Sequence, residues 1–286
     1  MQKQYIKLLI RIICLYFQKH DSSNNFVKKS YDKVSSGYDE AWTGHMRDLT
    51  ETVINKLNPQ KGNLAIDLTC GTGFATNLIA QKTDTKVLGV DRSNGMLAQA
   101  NKNYWQNCEF IQADILEYLK KQPSSSFDII TCCWGLGYSK PFAVLRQIKR
   151  ILKHGGKVGI IDNSLFSLRE ILYCSFLTFA EQPEKLKNLM KFRFLPNAGT
   201  LKLMFRVLNM KPLYSVNGSK SYLVDSGREA IEKLTATGAA AGFEYAAEPG
   251  TNEQIFKRFA EIIEEKHLTE NGIAITHRYF TGIAEK

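Results

Sequence analysis

The stretch Ala65-Ile66-Asp67-Leu68-Thr69-Cys70-Gly71-Thr72-Gly73-Phe74 joins a short apolar run to a glycine-rich turn and then to a helical segment. Glycine at 71 and 73 permits backbone angles that other residues avoid, and it lets a ligand touch the main chain. The helix that follows offers free N–H groups at its N-terminus to an anionic or polar group. Dinucleotide, flavin and nucleoside binders all share such a turn, so alone it predicts only a nucleotide-like ligand.

On either side of this turn, short β-rich runs alternate with helical stretches as far as residue 161. This rhythm is typical of a parallel sheet with helices on both faces. Most of the runs are too apolar to be half exposed. We predict a seven-stranded, doubly wound α/β fold with strands at 64–68, 86–90, 108–112, 127–132 and 157–161, helices at 75–81, 94–103 and 141–152, and an antiparallel last strand at 273–286.

Acidic residues follow the next two strands as well. The second strand ends at Asp91, where a carboxylate can accept hydrogen bonds from both hydroxyls of a ribose. The third is followed by Asp114, which can receive an exocyclic amino group while Ile115 packs on an adenine face. Each aspartate alone could be a helix cap, but three carboxylates at consecutive strand tips indicate a site for an adenosine group.

A dinucleotide is a poorer match. The G-x-G-x-x-G fingerprint needs a small third residue, and Thr76 stands there after Gly71 and Gly73. The acidic Asp67 before the glycines would serve a pyrophosphate poorly, whereas a cationic sulfonium would be tolerated.

The run 67–73 resembles motif I of class I S-adenosylmethionine-dependent methyltransferases, especially the ubiquinone/menaquinone-biosynthesis group. The run Tyr31-Asp32 to Tyr38-Asp39-x-x-Trp42 is similar to that group's N-terminal signature, and Phe127 to Trp134 to motif IV, whose outer end approaches the methyl group. The resemblance covers residues 30–162 and implies a Rossmann-like fold with S-adenosyl-L-methionine as cofactor. It places the methionine part at the glycines, the ribose at Asp91 and the adenine between Met96 and Ile115. The predicted cofactor-binding residues are Tyr31, Tyr38, Asp67, Thr69, Gly71, Gly73, Asp91, Arg92, Met96, Asp114, Ile115 and Cys132.

Catalytic residues are harder to predict, because methyl transfer needs an in-line approach and a base only where the nucleophile must lose a proton. Trp134 and Tyr138 could form a wall for an aromatic ring or a cation. The candidates at the mouth of the site are His45, Trp134, Tyr138, Asp162 and His277, each with a structural role as the alternative.

After residue 162 the βα rhythm stops, and a long segment rich in Leu, Phe, Tyr and basic residues follows. We predict a helical cap at 165–225 inserted after strand five, which would act as a lid over an apolar substrate. The methyltransferase domain would then comprise residues 30–164 and 226–286, with the final strands beginning near Gly242.

Residues 1–29 are predicted to form an amphipathic, mildly basic helix, with Ile6, Leu9, Ile10, Ile13 and Phe17 on its apolar face. It is too short and too charged to span a membrane, and no secretory cleavage site follows it. Such a helix can lie in a membrane interface or cover a groove of its own protein. The six cysteines show neither disulfide nor metal-ligand spacing, so we expect no metal, and a cytoplasmic location with peripheral membrane contact as the open alternative.

The net charge of +10 leaves nucleic acid, an anionic membrane or a basic exterior open. A nucleic-acid methyltransferase is disfavoured, because no Asn-Pro-Pro-Tyr follows strand four and neither Cys132 nor Cys133 follows a proline. A protein methyltransferase, an NAD-dependent oxidoreductase and an inactive cofactor-binding module remain alternatives. The prediction is methyl transfer to a small-molecule or lipid-like acceptor.

Overall fold

The computed structural model describes residues 2–18 and 23–286. Seven strands form one sheet, and the apolar runs of the sequence supply most of them. The strands are β1 (Ala65–Leu68), β2 (Val87–Asp91), β3 (Cys108–Gln112), β4 (Phe127–Cys133), β5 (Leu152–Asn163), β6 (Lys211–Val224) and β7 (Ile273–Glu285).

Helices fill the intervals between the strands and begin where polar caps occur, as at Ser93, Asp114, Asn197 and Ser226. They are α1 (Gln2–Tyr16), α2 (Ser23–Val34), α3 (Gly44–Leu57), α4 (Phe74–Thr83), α5 (Asn94–Tyr104), α6 (Ile115–Lys121), α7 (Pro141–Ile151), α8 (Arg169–Glu181), α9 (Ala198–Val207), α10 (Gly227–Ala236) and α11 (Asn252–His267). One turn of π-helix at Asp39–Thr43 precedes α3.

The strand order is β3-β2-β1-β4-β5-β7-β6. Strands β1 to β5 are parallel, and β7 runs antiparallel to β5, from Lys157 opposite Glu285 to Asn163 opposite Tyr279. The order reverses direction at β1, so the carboxyl ends of β1, β2 and β4 border the crevice in which doubly wound sheets bind ligands. The predicted seven-stranded Rossmann-like sheet with its last strand antiparallel is confirmed.

Both faces of the sheet are covered, because alternate residues of a strand point to opposite sides. Ile66 and Leu68 of β1 pack in one core layer with residues of α6, α7 and α9. Ala65 packs in the other layer with residues of α3 and α4. This two-layer burial explains why β1 is wholly buried and apolar apart from Asp67.

The sixth strand lies elsewhere than the sequence predicted. Gly242 does not begin a strand; it has φ +89°, and Phe243–Tyr245 is a 3-10 turn. The sixth strand is β6, within the predicted helical cap. It stands at the end of the strand order and is largely exposed, with Pro212, Gly218 and Lys220 in its sequence. An edge strand of this composition lacks the apolar run by which buried strands are found.

The chain divides into two compact units. The first comprises the described residues up to Val34, Ser167–Lys191 and Ser219–His277, and the second comprises Ser35–Phe166, Phe192–Gly218 and Arg278–Lys286. This division does not follow the predicted limits of 1–29, 165–225 and 226–286, because the segment after β5 contributes α8 to the first unit and α9 to the second. Residues 1 and 19–22 of the predicted N-terminal segment lie outside the described residues.

Each unit has cores of its own. In the first unit, α8, α10 and α11 pack around Phe259 and Ile263, and α1 adds Leu8 and Leu15 to a second cluster with Phe179. Among the helices that the structure describes, none is long and apolar enough to cross a membrane.

Candidate active site

The glycine turn after β1 is built from left-handed residues. Thr69, Gly71 and Gly73 have φ of +62°, +54° and +88°, and α4 begins at the next residue, Phe74. A Cβ at Gly71 would meet no atom within 4 Å, so that face of the turn is open to a ligand. A Cβ at Gly73 would press on Phe110 at 2.9 Å, so this glycine also allows the turn to pack closely.

Asp67 lies beneath the turn and is fully buried. Its Oδ2 accepts a hydrogen bond from Thr76 Oγ1 at 2.7 Å, and its Oδ1 accepts one from Thr131 Oγ1 at 2.6 Å. Burial raises the pKa of this carboxyl to about 6, although the two hydroxyls favour the ionised form. Asp67 therefore links β1 to α4 through Thr76 and to β4 through Thr131.

Asp91, at the tip of β2, is half-buried beside the turn. Its Oδ2 accepts a hydrogen bond from the backbone N–H of Gly71 at 2.9 Å, and its Oδ1 accepts one from the N–H of Ser93, also at 2.9 Å. Burial raises the pKa of Asp91, and these backbone donors oppose the rise. A carboxylate has about four acceptor positions, so Asp91 retains capacity for ribose hydroxyls.

The third strand tip carries an ion pair. Asp114 caps α6 by accepting a hydrogen bond from Glu117 N at 2.9 Å, and its other oxygen pairs with the Arg92 guanidinium. Ile115 and Met96, the two predicted adenine contacts, are both buried. Met96 donates its backbone N–H to Ser93 Oγ, which fixes the start of α5 next to Asp91.

The pair Tyr38-Asp39 is linked to the glycine turn by a hydrogen bond of Asp39. Asp39 Oδ1 accepts hydrogen bonds from Thr72 Oγ1 at 2.5 Å and from Thr43 Oγ1 at 2.8 Å. Burial raises the pKa of Tyr38 well above its usual value, and the nearby Tyr138 and Asp91 raise it further. Tyr38 therefore stays protonated at neutral pH and acts as a hydrogen-bonding group.

The end of β4 meets the glycine turn through Thr69. Its Oγ1 donates to Cys133 O at 3.1 Å and lies 3.6 Å from Cys132 Sγ. Burial raises the pKa of the Cys132 thiol far above neutrality, so it is an uncharged lining group. Gly135 is required here, because a Cβ would lie 2.6 Å from that of Thr69.

Asp162 holds the loop that follows β4. It is fully buried, and its Oδ2 accepts a hydrogen bond from the backbone N–H of Gly137 at 2.7 Å. Its Oδ1 accepts another from Asn163 N at 2.8 Å. Burial raises its pKa to about 7. Asp162, predicted as a catalytic candidate, thus lies behind the loop and positions it.

An aromatic group is anchored to this loop, and we call it the ring cluster: Tyr138, Phe192 and Phe194. Tyr138 contacts the two phenylalanine rings at centroid distances of 5.4 and 5.3 Å, both edge to face. Arg193 donates its backbone N–H to Gly137 O at 2.8 Å. A Cβ at Gly137 would lie 2.1 Å from Phe194 Cδ1, so the close packing depends on this glycine.

Trp134 lies at the start of the same loop with φ +63°. Its Nε1 donates to Thr50 Oγ1 at 2.9 Å, and its ring packs edge to face on Trp42 at 5.3 Å. Tyr279 of β7 contacts it on another side at 6.1 Å. With its indole N–H engaged inside the protein, Trp134 supplies an apolar surface to the loop.

Most predicted site residues are therefore gathered in the second unit at the carboxyl ends of β1 to β4. Tyr31 and His277 belong to the first unit, where Tyr31 packs against Gly238 and the buried His277 lies 5.8 Å from the Tyr222 ring. His45 is the second residue of α3 and is half-buried.

Several contributing residues stand outside the predicted set, and only Thr76 and Asp39 among them had a signal in the sequence. Thr76, noted only for breaking the dinucleotide fingerprint, supports Asp67. Asp39 occurs in the quoted Tyr-Asp run, and its bond to Thr72 links that run to the glycine turn. Phe192 and Phe194 come from a distant segment of the chain, and nothing in their spacing points to Tyr138.

The residues present fit S-adenosylmethionine. The glycine turn is open at Gly71, and Asp91 offers an acceptor beside it. Met96 and Ile115 are buried apolar side chains in the first turns of α5 and α6, and the glycine turn bears no cationic side chain that would repel a sulfonium. The open turn allows a close main-chain contact, and Asp91 can accept from a ribose. The buried apolar side chains suit an adenine, and the absence of a cation suits a positively charged sulfur.

Comparison with known proteins agrees with this geometry. Residues 65–156 match the family profile described as a methyltransferase domain. The demethylmenaquinone methyltransferase of Geobacillus kaustophilus is 27% identical over 172 residues, covering 55% of this chain and 72% of that protein. The enzyme of the same name from Staphylococcus epidermidis is 28% identical over 205 residues, covering 66% and 78%.

Among solved structures, the phosphoethanolamine N-methyltransferase 2 of Haemonchus contortus, in complex with S-adenosylhomocysteine, has a similar fold. Its TM-score is 0.58 at 17% identity, covering 94% of this chain and 61% of that one. The matched profile spans β1 to the first residues of β5, and so includes the glycine turn, Asp91 and Asp114. The chain therefore contains a methyltransferase domain, and its fold is that of solved methyltransferases.

Proposed function

We propose that this enzyme methylates a lipid-like acceptor containing a planar ring, of which a demethylated quinone is the first to test. The observation that carries the proposal is the ring cluster. Aromatic side chains favour offset or edge-to-face contact with another ring, and a ring acceptor adds such contacts to apolar burial.

The position of the cluster favours a role in acceptor binding. Tyr138 belongs to the loop after β4, and Gly135 in this loop packs against Thr69 of the glycine turn. The cluster is therefore close to the groups proposed to hold the nucleoside. Asp162 and Gly137 fix the loop from behind, which keeps the aromatic surface in place when an acceptor arrives.

S-adenosylmethionine, when bound, supplies a methyl group activated by its positively charged sulfur. The contribution of the chain is to hold the two reactants in line and to exclude water, which accelerates a bimolecular step by removing its entropic cost. Tyr38 remains protonated and can hydrogen-bond an acceptor oxygen. Cys132 stays neutral and forms part of the apolar wall.

The curated relatives support the choice of acceptor to test. Their name, demethylmenaquinone methyltransferase, describes a reaction on a quinone. Their identity to this chain is modest, and the ring cluster depends on Phe192 and Phe194, which lie outside the profile match at 65–156.

The test is transfer of labelled methyl from S-adenosylmethionine to a demethylated quinone with a short side chain, compared with an aliphatic amine, an RNA and a protein mixture. We expect methylation of the quinone. Exclusive methylation of the amine, RNA or protein would overturn the acceptor class while leaving the methyltransferase assignment intact.

A variant sharpens this test. Phe192→Ala should raise the KM for the ring acceptor about tenfold, because it removes an exposed ring contact, and leave S-adenosylhomocysteine affinity unchanged. Phe142→Ala, on α7, removes a comparably exposed phenylalanine and is the matched control. An equal change in both variants, or none in either, would contradict a role for the cluster in binding the acceptor.

A further inference from the structure

Helix α1 is docked on the first unit by one of its faces only. Leu8 and Leu15 are buried there, and the Tyr5 ring stacks on Phe176 of α8 at 6.0 Å. Arg11 Nε donates to Leu186 O at 2.9 Å. The inner face of the helix is therefore satisfied by the protein itself.

The opposite face is apolar and exposed, and we call it the outer face of α1. Large side chains recur on it at helical spacing and are each more than half exposed: Ile6 57%, Leu9 51%, Ile10 56%, Ile13 56% and, just after the helix, Phe17 77%. Single exposed apolar residues are common on soluble proteins, but an unbroken row of this kind marks an interaction surface.

The charged side chains near the outer face of α1 are all positive. Lys3 and Lys7 are exposed on α1, one helical turn apart, and residues 2–18 contain no aspartate or glutamate. At the other end of the helix, Lys191 Nζ lies 5.6 Å from the centre of the Tyr16 ring. Cations therefore flank the outer face at both ends, within a chain of net charge +10.

We propose that the outer face of α1 docks on the surface of an anionic lipid bilayer, with the helix lying in the plane of the interface. The apolar row would enter the boundary between headgroups and acyl chains, and the lysines would contact lipid phosphates. Phe17 and Tyr16 suit the same boundary, where aromatic rings collect. A second copy of this chain is a poorer occupant, because pairing two outer faces brings two sets of like charges together.

The experiment is sedimentation of the full chain with vesicles of phosphatidylcholine plus phosphatidylglycerol, and with phosphatidylcholine alone. We expect binding to the anionic vesicles that weakens as salt is added. Ile6→Gln with Ile10→Gln should reduce the partition onto these vesicles about tenfold or more. Lys3→Gln with Lys7→Gln should remove most of the preference for anionic lipid.

The chain contains a matched control. Leu203 and Val207 are also an i, i+4 apolar pair on a helix, exposed to 60% and 61%. Leu203→Gln with Val207→Gln should leave vesicle binding unchanged. Melting temperatures near that of the parent protein would show that both pairs of substitutions preserve the fold.

Cys14 provides an independent readout, because it is exposed on α1 while the other five cysteines are buried. Helical spacing places Cys14 on the same side of α1 as Lys3 and Lys7, two to three turns further along, at the edge of the outer face. A polarity-sensitive fluorophore on Cys14 should shift its emission to the blue with anionic vesicles, and this shift should vanish in the Ile6→Gln, Ile10→Gln protein.

The proposal is overturned by absence of vesicle binding, or by equal losses in the α1 and α9 variants. It is also overturned if Ile6→Gln with Ile10→Gln instead converts a dimer to a monomer, as measured by light scattering. The vesicle assay needs neither cofactor nor acceptor, so its outcome is independent of the proposed methyl acceptor.

Discussion

At the scale of single residues, the three aspartates at or near the carboxyl ends of β1, β2 and β3 have different environments. Asp67 is sealed beneath the turn by two threonines, Asp91 is half-buried beside Gly71, and Asp114 caps α6 and pairs with Arg92. The sequence predicted that all three lie at the same edge of the sheet, because the carboxyl ends of parallel strands meet there. It could not predict their burial, since Asp67 lies inside a paired strand and Asp91 at the last position of one.

Asp91→Ala should weaken S-adenosylhomocysteine binding by about 2 kcal/mol, roughly 30-fold in Kd, because it removes charged hydrogen bonds in a half-buried site. Titration calorimetry measures the change. Asp84→Ala is the control, since Asp84 is an exposed aspartate of the same unit paired with Lys61. Unchanged affinity in Asp91→Ala would remove this residue from the site.

Thr76→Val should lower the free energy of unfolding by about 1 to 3 kcal/mol, because the near-isosteric change leaves a buried Asp67 oxygen without its donor. Urea denaturation near pH 8, where Asp67 is ionised, measures the effect. Thr52→Val is a suitable control, because its hydroxyl binds a backbone carbonyl on an exposed helix surface. Equal stability of the Thr76 variant and the parent would show that this hydrogen bond contributes nothing to the turn.

At the scale of elements, the loop after β4 depends on one buried carboxyl. The backbone N–H groups of Gly137 and Asn163 converge on Asp162, and the ring cluster rests on the loop so held. The folded state binds the Asp162 proton more tightly than the unfolded chain does, because burial raises the pKa from an ordinary value near 3.9 to about 7. The resulting stabilisation is complete below about pH 4 and is lost as the pH rises to about 7.

Asp162→Asn should therefore flatten the dependence of unfolding free energy on pH between about pH 4 and 7. The variant should also be less stable at pH 4, by about 1 to 3 kcal/mol, because an amide NH2 would face a backbone donor. Denaturant unfolding at a series of pH values measures both effects. Some slope should remain, since Asp67 has a pKa raised to about 6. A variant with the full slope of the parent would contradict this account of Asp162.

Every strand of the sheet except the edge strand β6 was predictable from its sequence, including β3 at the opposite edge. Strands β1 to β5 were predicted from their apolar runs. Strand β7 was predicted from the alternation of its side chains. Strand β6 alternates between exposed and half-buried residues and contains a proline, so its sequence is that of a loop or lid. Residues 211–224 form a strand because they add to the end of the sheet, and this tertiary contact cannot be read from their own sequence.

At the scale of the whole molecule, residues 192–218 belong to the second unit, together with the glycine turn, and do not form a separate cap. Leu195, Leu201 and Phe205 lie in the same core layer as Ile66 of β1 and Val144 of α7. The charge and composition of this segment predict a lid, but they do not indicate which of its side chains face the sheet. The ring cluster was unpredictable for the same reason.

Phe205→Ala should destabilise the protein by about 3 to 5 kcal/mol, because Phe205 is only 1% exposed and its loss leaves a cavity against the sheet. Leu203→Ala, two residues earlier and 60% exposed, should change stability by no more than about 0.5 kcal/mol. Chemical denaturation of the two variants provides the comparison. Similar small effects in both would mean that this segment is a peripheral lid.

We infer that the carboxyl edge of β1 to β4 binds a sulfur nucleoside. Calorimetric titration of the full chain with S-adenosylmethionine and S-adenosylhomocysteine, with NAD as the control ligand, tests it most directly. We expect both sulfur nucleosides to bind with micromolar Kd and NAD to give no heat of binding. Binding of NAD with no response to either sulfur nucleoside would contradict the claim and assign the glycine turn to another ligand.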